Sequence, residues 1–344
     1  MPIRFPRPLR PGDTIAITSP SSGVTPQYWP RLEAAIAGLR DRGYEVVIGE
    51  CMDGSSPVSA AAVDRARELT DFLTDPRVRA VVPPWGGELA IDLLPLLDWD
   101  AISEAEPTWF VGFSDISTLI TPLTLRTGIA TLHGSNMMDT PYRPPAGLLH
   151  WLDIATLGPD STFTQTSPGR FRAHGWDDYV GHPEVSEMTL DSSGSWTRFD
   201  DGPGAVDVSG RLIGGCIDTL CNVAGSPFGE IAEFARRFAP EGLLVYIEAS
   251  GDDDAVAMCR QLHGMRLAGF FEHANAVLVG RTRAADEPHM TVRHAVRDAL
   301  GGLGVPIIGD VECGHVQPFM PIVNGALGRV RHGAGESSLT QTLV

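Results

Sequence analysis

The stretch Phe110-Val-Gly-Phe-Ser-Asp-Ile-Ser117 decides the fold. Residues 108–112 form a short β-type run, and apolar residues recur at helical spacing from Ile116 to Leu125. A strand therefore passes through a four-residue turn directly into a helix. The same alternation recurs upstream. Thr14-Ile-Ala-Ile-Thr18 reads as a strand that ends in the loop Ser19-Pro-Ser-Ser-Gly23. Leu32, Ala35, Ile36 and Leu39 mark a helix that stops at Gly43, and Tyr44–Ile48 is the next strand. A helix over about 60–73 and a strand over 79–83 follow, then a short helix within 89–97. Strands alternating with helices predict an α/β fold with a parallel sheet covered on both faces. In such sheets ligands bind beyond the carboxyl ends of the strands.

From about Thr140 to Ser209 the pattern dissolves into Pro, Gly, Ser and Asp with scattered Trp. A segment of that length is either an interdomain linker or a loop that covers substrate. Regular signals return at Gly210-Arg-Leu-Ile-Gly-Gly215, with strands expected at 243–247, 276–279 and 306–308 and helices at about 254–267 and 291–300. The expected organisation is an N-terminal domain over 1–140, a linker and covering loop over 141–209, and a C-terminal α/β domain over 210–344.

The 344 residues carry 26 basic against 43 acidic side chains, a formal charge of −17. Such a field repels phosphate backbones and anionic lipid surfaces, so nucleic acid and membranes are not the expected partners. Every basic residue is Arg. The absence of lysine excludes a phosphate-loop lysine, a Schiff base and a Ser–Lys dyad. The five cysteines form no CxxC pair, and the first residues contain no apolar stretch of signal-peptide type; the expectation is a cytoplasmic protein with reduced thiols.

Within the deciding stretch, Ser114 sits on the strand-to-helix turn, where a hydroxyl projects above the sheet and a helix N-terminus offers free N–H groups to a developing oxyanion. Ser114 as nucleophile and Ser114 or Asp115 as a simple helix cap are both open on this evidence; Ile116 stands where the usual elbow has glycine. A serine needs a base, and the base an orienting carboxylate. Glu248 ends the apolar run Leu244-Val-Tyr-Ile, and His315 follows Gly314 after another strand. Gly86 and Gly87, after the third strand, can bring a backbone N–H to the crevice beside that of Asp115. Cys313, two residues from His315, offers a Cys–His dyad as an alternative, although no elbow precedes Cys313 to present the thiol. No metal-ligand spacing is present.

Taken together, these segments resemble the LD-carboxypeptidase family of serine peptidases, and within it the microcin C immunity (MccF-like) branch. The resemblance runs from Leu9-Arg-Pro-Gly-Asp-Thr-Ile-Ala-Ile-Thr-Ser-Pro-Ser-Ser22 through Trp85-Gly-Gly87, Gly112-Phe-Ser-Asp115, Gly210-Arg-Leu-Ile-Gly-Gly215, Tyr246-Ile-Glu248 and Gly314-His315. It implies a Ser114–His315–Glu248 triad and a flavodoxin-like N-terminal domain. It also implies a C-terminal α/β domain, an active site between the two, a homodimer, and no metal or organic cofactor. The MccF-like branch cleaves the amide of aminoacyl-nucleotide antibiotics such as processed microcin C. It stacks a tryptophan of the long loop on the base, which here would be Trp176 or Trp196. The other branch cleaves murein tetrapeptides. Glu88 departs from the residues common at its position, so the mouth of the site is expected to differ. A non-catalytic two-domain binding protein is the third reading.

Overall fold

The computed structural model describes residues 2–333 and 335–344. Two sheets carry the architecture. In the first, β1 (Thr14–Ile17), β2 (Glu45–Ile48), β3 (Val78–Val81), β4 (Trp109–Gly112) and β5 (Thr131–His133) run parallel in the order β2-β1-β3-β4-β5. This is the flavodoxin-like order. Every residue of β3, β4 and β5 is buried, as a parallel strand covered on both faces requires. Helices α1 (Trp29–Asp41), α2 (Ala62–Thr74), α3 (Trp99–Glu104) and α4 (Ser117–Thr127) supply the cover.

The second sheet has a parallel centre of β10 (Val206–Cys216), β11 (Leu243–Glu248), β12 (Ala274–Gly280) and β13 (Ile307–Val311). The intervening helices are α6 (Ile217–Val223), α7 (Ile231–Phe238), α8 (Ala255–Leu267) and α9 (Val292–Leu300); a shorter α5 (Trp151–Ala155) lies upstream. Antiparallel β15 (Leu327–Gly333), β16 (Glu336–Thr342) and β6 (Thr162–Thr166) extend one side, and β9 (Thr197–Arg198) the other. The segment 141–209, expected to be irregular, thus contributes strands to both edges of this sheet, and a small hairpin of β7 (Arg170–Phe171) and β8 (Ser192–Ser193) besides. The strand β14 (Ile322–Asn324) crosses the other way and pairs antiparallel with β5 in the first sheet. The boundaries at 140 and 209 are therefore crossed by strand pairing in both directions. No helix among the described residues is long and apolar enough to cross a membrane.

Helix α4 is buried from Ser117 to Leu125 on every face because it lies between the first sheet and β10 with α6 and α7. Two hydroxyls pin it to β10: Thr121 Oγ1 donates to the Gly214 carbonyl at 2.6 Å, and Ser117 Oγ accepts from the Cys216 N–H at 3.1 Å. A second buried tie is Asn324. Its Oδ1 accepts from the Gly214 N–H at 3.2 Å and the Tyr246 hydroxyl at 2.8 Å, while its Nδ2 donates to Thr131 Oγ1 at 3.2 Å. One side chain thereby joins β5, β10, β11 and β14.

Replacing Asn324 by Ala strands a buried N–H and a buried hydroxyl, and should lower stability by roughly 2–4 kcal/mol. Tyr246→Phe removes only the donor and should cost about 1 kcal/mol. Urea unfolding of the two variants checks the order; equal losses would show that Asn324 is not the junction.

Candidate active site

The turn after β4 places Ser114 at φ +63°, in the left-handed region that a non-glycine residue rarely occupies. Tertiary contacts hold it there. The Phe113 N–H donates to Asn136 Oδ1 at 3.2 Å. The buried Asp115 carboxylate accepts from Ser21 Oγ at 2.6 Å, the Ala90 N–H at 2.8 Å and Thr118 Oγ1 at 3.2 Å, which ties the loops after β1 and β3 to the turn. Gly86 lies against it: a Cβ there would sit 2.9 Å from Ser114 Cβ and 3.0 Å from the Asp115 nitrogen. The Gly86-Gly87 loop therefore runs beside the N–H of Asp115, and Gly87 and Asp115 line one cavity with Ser114. None of these three N–H groups is engaged by another backbone carbonyl among the described residues. The N–H groups of Asp115, Gly86 and Gly87 are therefore the candidate oxyanion donors beside Ser114.

Glu248 is the last residue of β11 and fully buried. His315 follows β13 in a turn at Gly314 (φ +97°), where a Cβ would lie 2.3 Å from Glu248 Oε2; only glycine lets that backbone approach the carboxylate. His315 Nδ1 is 2.7 Å from Glu248 Oε2, and His315 Nε2 is 2.9 Å from Ser114 Oγ. With the Nδ1 proton donated to the carboxylate, Nε2 presents its lone pair to the serine hydroxyl. The arrangement can take a proton from Ser114 and hand it to a leaving group. Phe113 packs its ring edge-on against His315, with centroids 5.0 Å apart.

Electrostatics follow from burial and pairing. Desolvation by itself would push the Glu248 carboxyl up, but His315 and His133 more than offset it and hold its pKa at about 2. Burial works against a charged imidazole at 315, yet the Glu248 carboxylate outweighs it, so the His315 pKa is raised above its ordinary 6.5. His133, the last residue of β5, places Nε2 3.5 Å from Glu248 Oε1, and neither atom has another hydrogen-bond partner among the described residues. Cys313 is buried, and burial pushes its thiol well above the usual range; it forms no dyad with His315, whose ring nitrogens are taken by Glu248 and Ser114. The thiol of Cys216 comes near Glu248 and His315, but burial raises it likewise, which disfavours the thiolate that a metal requires. Away from this site, Cys259, His263 and Asp298 bring ligand-type atoms together on α8 and α9.

Two cavities meet at Ser114 and His315. One is aromatic, lined by Tyr28, Trp85, Phe113, Trp176 and Tyr179. Trp176 is 42% exposed, stacks on Phe319 at 6.2 Å, and carries Arg283 over its face. Arg283 also donates to the His315 carbonyl at 3.1 Å and to the Gly175 carbonyl at 3.1 Å, coupling the tryptophan loop to the imidazole's own turn. Tyr179 anchors the loop by donating to the buried Asp139 carboxylate at 2.7 Å. Trp196, the other expected stacking residue, lies elsewhere: it is 2% exposed and donates its indole N–H to Glu312 at 2.6 Å. It packs β9 onto the core and lines neither cavity. The second cavity is acidic and holds Glu88, Asp218, Asp252 and Asp253. Sequence reasoning did not single out His133, Asn136, Tyr28, Tyr179, Asp218 or Asp252. The rule that active-site residues gather at strand ends points to His133 once β5 is recognised.

Fold and geometry together define an α/β protein with a serine–histidine–carboxylate relay at the ends of two parallel sheets. Sequence models of the LD-carboxypeptidase N-terminal and C-terminal domains match residues 15–134 and 209–330, and the chain belongs to this family of carboxypeptidase-like hydrolases. A Streptomyces coelicolor protein that bears a carboxypeptidase name is 28% identical, the match covering 97% of this chain and 95% of the relative. The microcin C7 self-immunity protein MccF of Escherichia coli is 24% identical over 92% of this chain and 90% of its own. The fold of MccF superposes with a TM-score of 0.79 at 21% identity, covering 99% of this chain and 98% of that one, in its complex with aspartyl sulfamoyl adenosine. Other MccF structures hold glutamyl sulfamoyl guanosine or carry an active-site variant in which a serine, an asparagine and a lysine are replaced by alanine. A muramoyltetrapeptide carboxypeptidase from Oxalobacter formigenes shares the fold with a TM-score of 0.69 at 20% identity, over 95% of this chain and 98% of that one.

The electrostatic balance at His315 has a measurable sign. By NMR its imidazole should titrate above 6.5 in the wild-type protein. In Glu248→Gln the burial remains while the carboxylate charge is gone, so the pKa should fall below that value. An unchanged titration in the variant would mean that Glu248 does not set it.

Proposed function

We propose that the protein is a serine amidohydrolase in which Ser114 is the nucleophile, His315 the general acid and base, and Glu248 the group that orients the imidazole. Its proposed substrate is an aminoacyl nucleotide of the microcin C type, so that hydrolysis detoxifies the compound. The single observation that carries the substrate reading is the aromatic cavity beside Ser114, with the exposed ring of Trp176 at its rim. A base stacked on such a ring is worth about 1–3 kcal/mol. MccF, which binds aspartyl sulfamoyl adenosine, supports the reading by analogy.

In the proposed reaction His315 Nε2 takes the Ser114 proton as Oγ bonds to the acyl carbon. The oxyanion is held by the N–H groups of Asp115 and of the Gly86-Gly87 loop. His315 then gives that proton to the leaving nitrogen as the carbon–nitrogen bond breaks. A water, deprotonated by the same imidazole, cleaves the acyl-serine and restores the hydroxyl. The second reading, removal of the terminal D-residue from a murein tetrapeptide, uses the same steps and has the Oxalobacter formigenes enzyme as its analogue. The five free cysteines fit a cytoplasmic setting, and the family resemblance makes a homodimer the expected assembly.

Mass spectrometry with alanyl sulfamoyl-adenosine and an L,D-tetrapeptide distinguishes the readings. Release of alanine and sulfamoyl-adenosine is expected, lost at least roughly a thousandfold in Ser114→Ala. Trp176→Ala should raise KM roughly 5- to 150-fold with kcat little changed, and Trp176→Phe should restore most of it. Cleavage of the tetrapeptide alone would overturn the nucleotide reading.

A further inference from the structure

The acidic cavity is the half of the cleft that the aromatic rings leave unexplained. Glu88, Asp218, Asp252 and Asp253 line it, and Arg does not; lysine is absent from the chain. Several acids elsewhere in this protein have guanidinium partners, as Asp92 does with Arg65, Asp200 with Arg198 and Asp207 with Arg329. The hydrogen-bond partners of Asp218 and Asp253 in the cavity are neutral. Asp218 Oδ2 accepts from the Ser250 N–H at 2.9 Å and the Cys216 thiol at 3.1 Å, and Asp253 accepts from the Gln261 amide at 2.8 Å. Burial and then the neighbouring Asp115, Asp252 and Asp218 raise the pKa of Glu88, so the aspartates act on it across the space.

An acidic wall alone names no ligand. This one does because its cavity contains Ser114 and His315 themselves. An acyl group delivered to Ser114 Oγ, with the leaving group's ring on the Trp176 side, has its remaining atoms directed into that space. Resting on the hydrolase reading above, we infer that the acyl half of the substrate is cationic: an aminoacyl group whose side chain carries an ammonium or guanidinium in addition to its α-amine. The aspartyl and glutamyl groups of the MccF ligands would meet four carboxylates here. The comparison agrees from the other side, because the active-site variant of MccF removes a lysine and this chain has none. Of the residues that line the cavity His315 alone can carry a positive charge, which Asp218 and Asp252 favour; a substrate cation would neutralise more of the acidic charge, and at short range such pairs contribute to specificity more than surface pairs do.

The test compares lysyl, alanyl and aspartyl sulfamoyl-adenosine, by turnover with the wild-type protein and by calorimetric binding to Ser114→Ala. The lysyl compound should exceed the aspartyl one by roughly tenfold or more in kcat/KM and in affinity. That ratio should shrink as sodium chloride is raised, and collapse in Asp252→Asn and in the double variant D218N/D252N. The salt series needs no variant, and a ratio measured within one protein is independent of how much of it folds. Equal or better handling of the aspartyl compound overturns the inference while leaving the hydrolase reading in place. Lysyl selectivity in binding without turnover of any of the three upholds the charge assignment and overturns the nucleotide reaction. Neither binding nor turnover of any compound overturns both.

Discussion

A carboxylate buried at the end of a parallel strand, with no guanidinium against it, has to be compensated by something else or lose its charge. Glu248 meets that condition with two imidazoles, His315 on one oxygen and His133 facing the other. The pairing fixes more than a charge. It selects the tautomer of His315, aims Nε2 at Ser114, and requires glycine at 314 because any side chain would occupy the carboxylate's space. The need to satisfy one buried acid therefore shapes the turn after β13, the end of β5 and the end of β11 together.

Those elements belong to two different sheets, so the relay depends on how firmly the sheets are joined. Helix α4 lies buried between them, its hydroxyls bonded to β10. The strand β14, late in the chain, returns to complete the first sheet, and its Asn324 carries hydrogen bonds to both. Ser114 stands in the turn that leads into that same α4. A junction of polar contacts within an apolar interior specifies register more sharply than apolar packing alone, and across this junction the Ser114 hydroxyl and the His315 imidazole lie 2.9 Å apart.

The residues of the relay were legible because each occupies a position that a local pattern reveals. Ser114 divides a strand from a helix, Glu248 ends a run of apolar residues, and His315 follows a glycine beyond a strand. Strands β1 to β4 of the first sheet were legible for the same reason, as apolar runs bounded by turns. What escaped notice was short or non-local. The strands β5 and β14 have three residues each, too few to show a period, and β6 alternates threonine with other residues because it is an outer strand with a wetted face. Trp176 and Trp196 sit in equally polar stretches. Only the position of Glu312, distant in sequence, draws the second into the core. The acidic cavity is likewise assembled from the loop after β3, the first turn of α6 and the loop after β11, and no single stretch announces it.

The most direct measurement is the site of covalent capture. The protein is incubated with an amino-acid p-nitrophenyl ester, quenched in acid, and cleaved with trypsin. Since the chain has no lysine, cleavage falls at arginine alone and Ser114 lies in the peptide 80–126. The relay described here places one acyl group on that peptide, localised by fragmentation to Ser114, and none in His315→Ala. An acyl group on Cys313 or Cys216, or accumulation at Ser114 undiminished by loss of the imidazole, would contradict it.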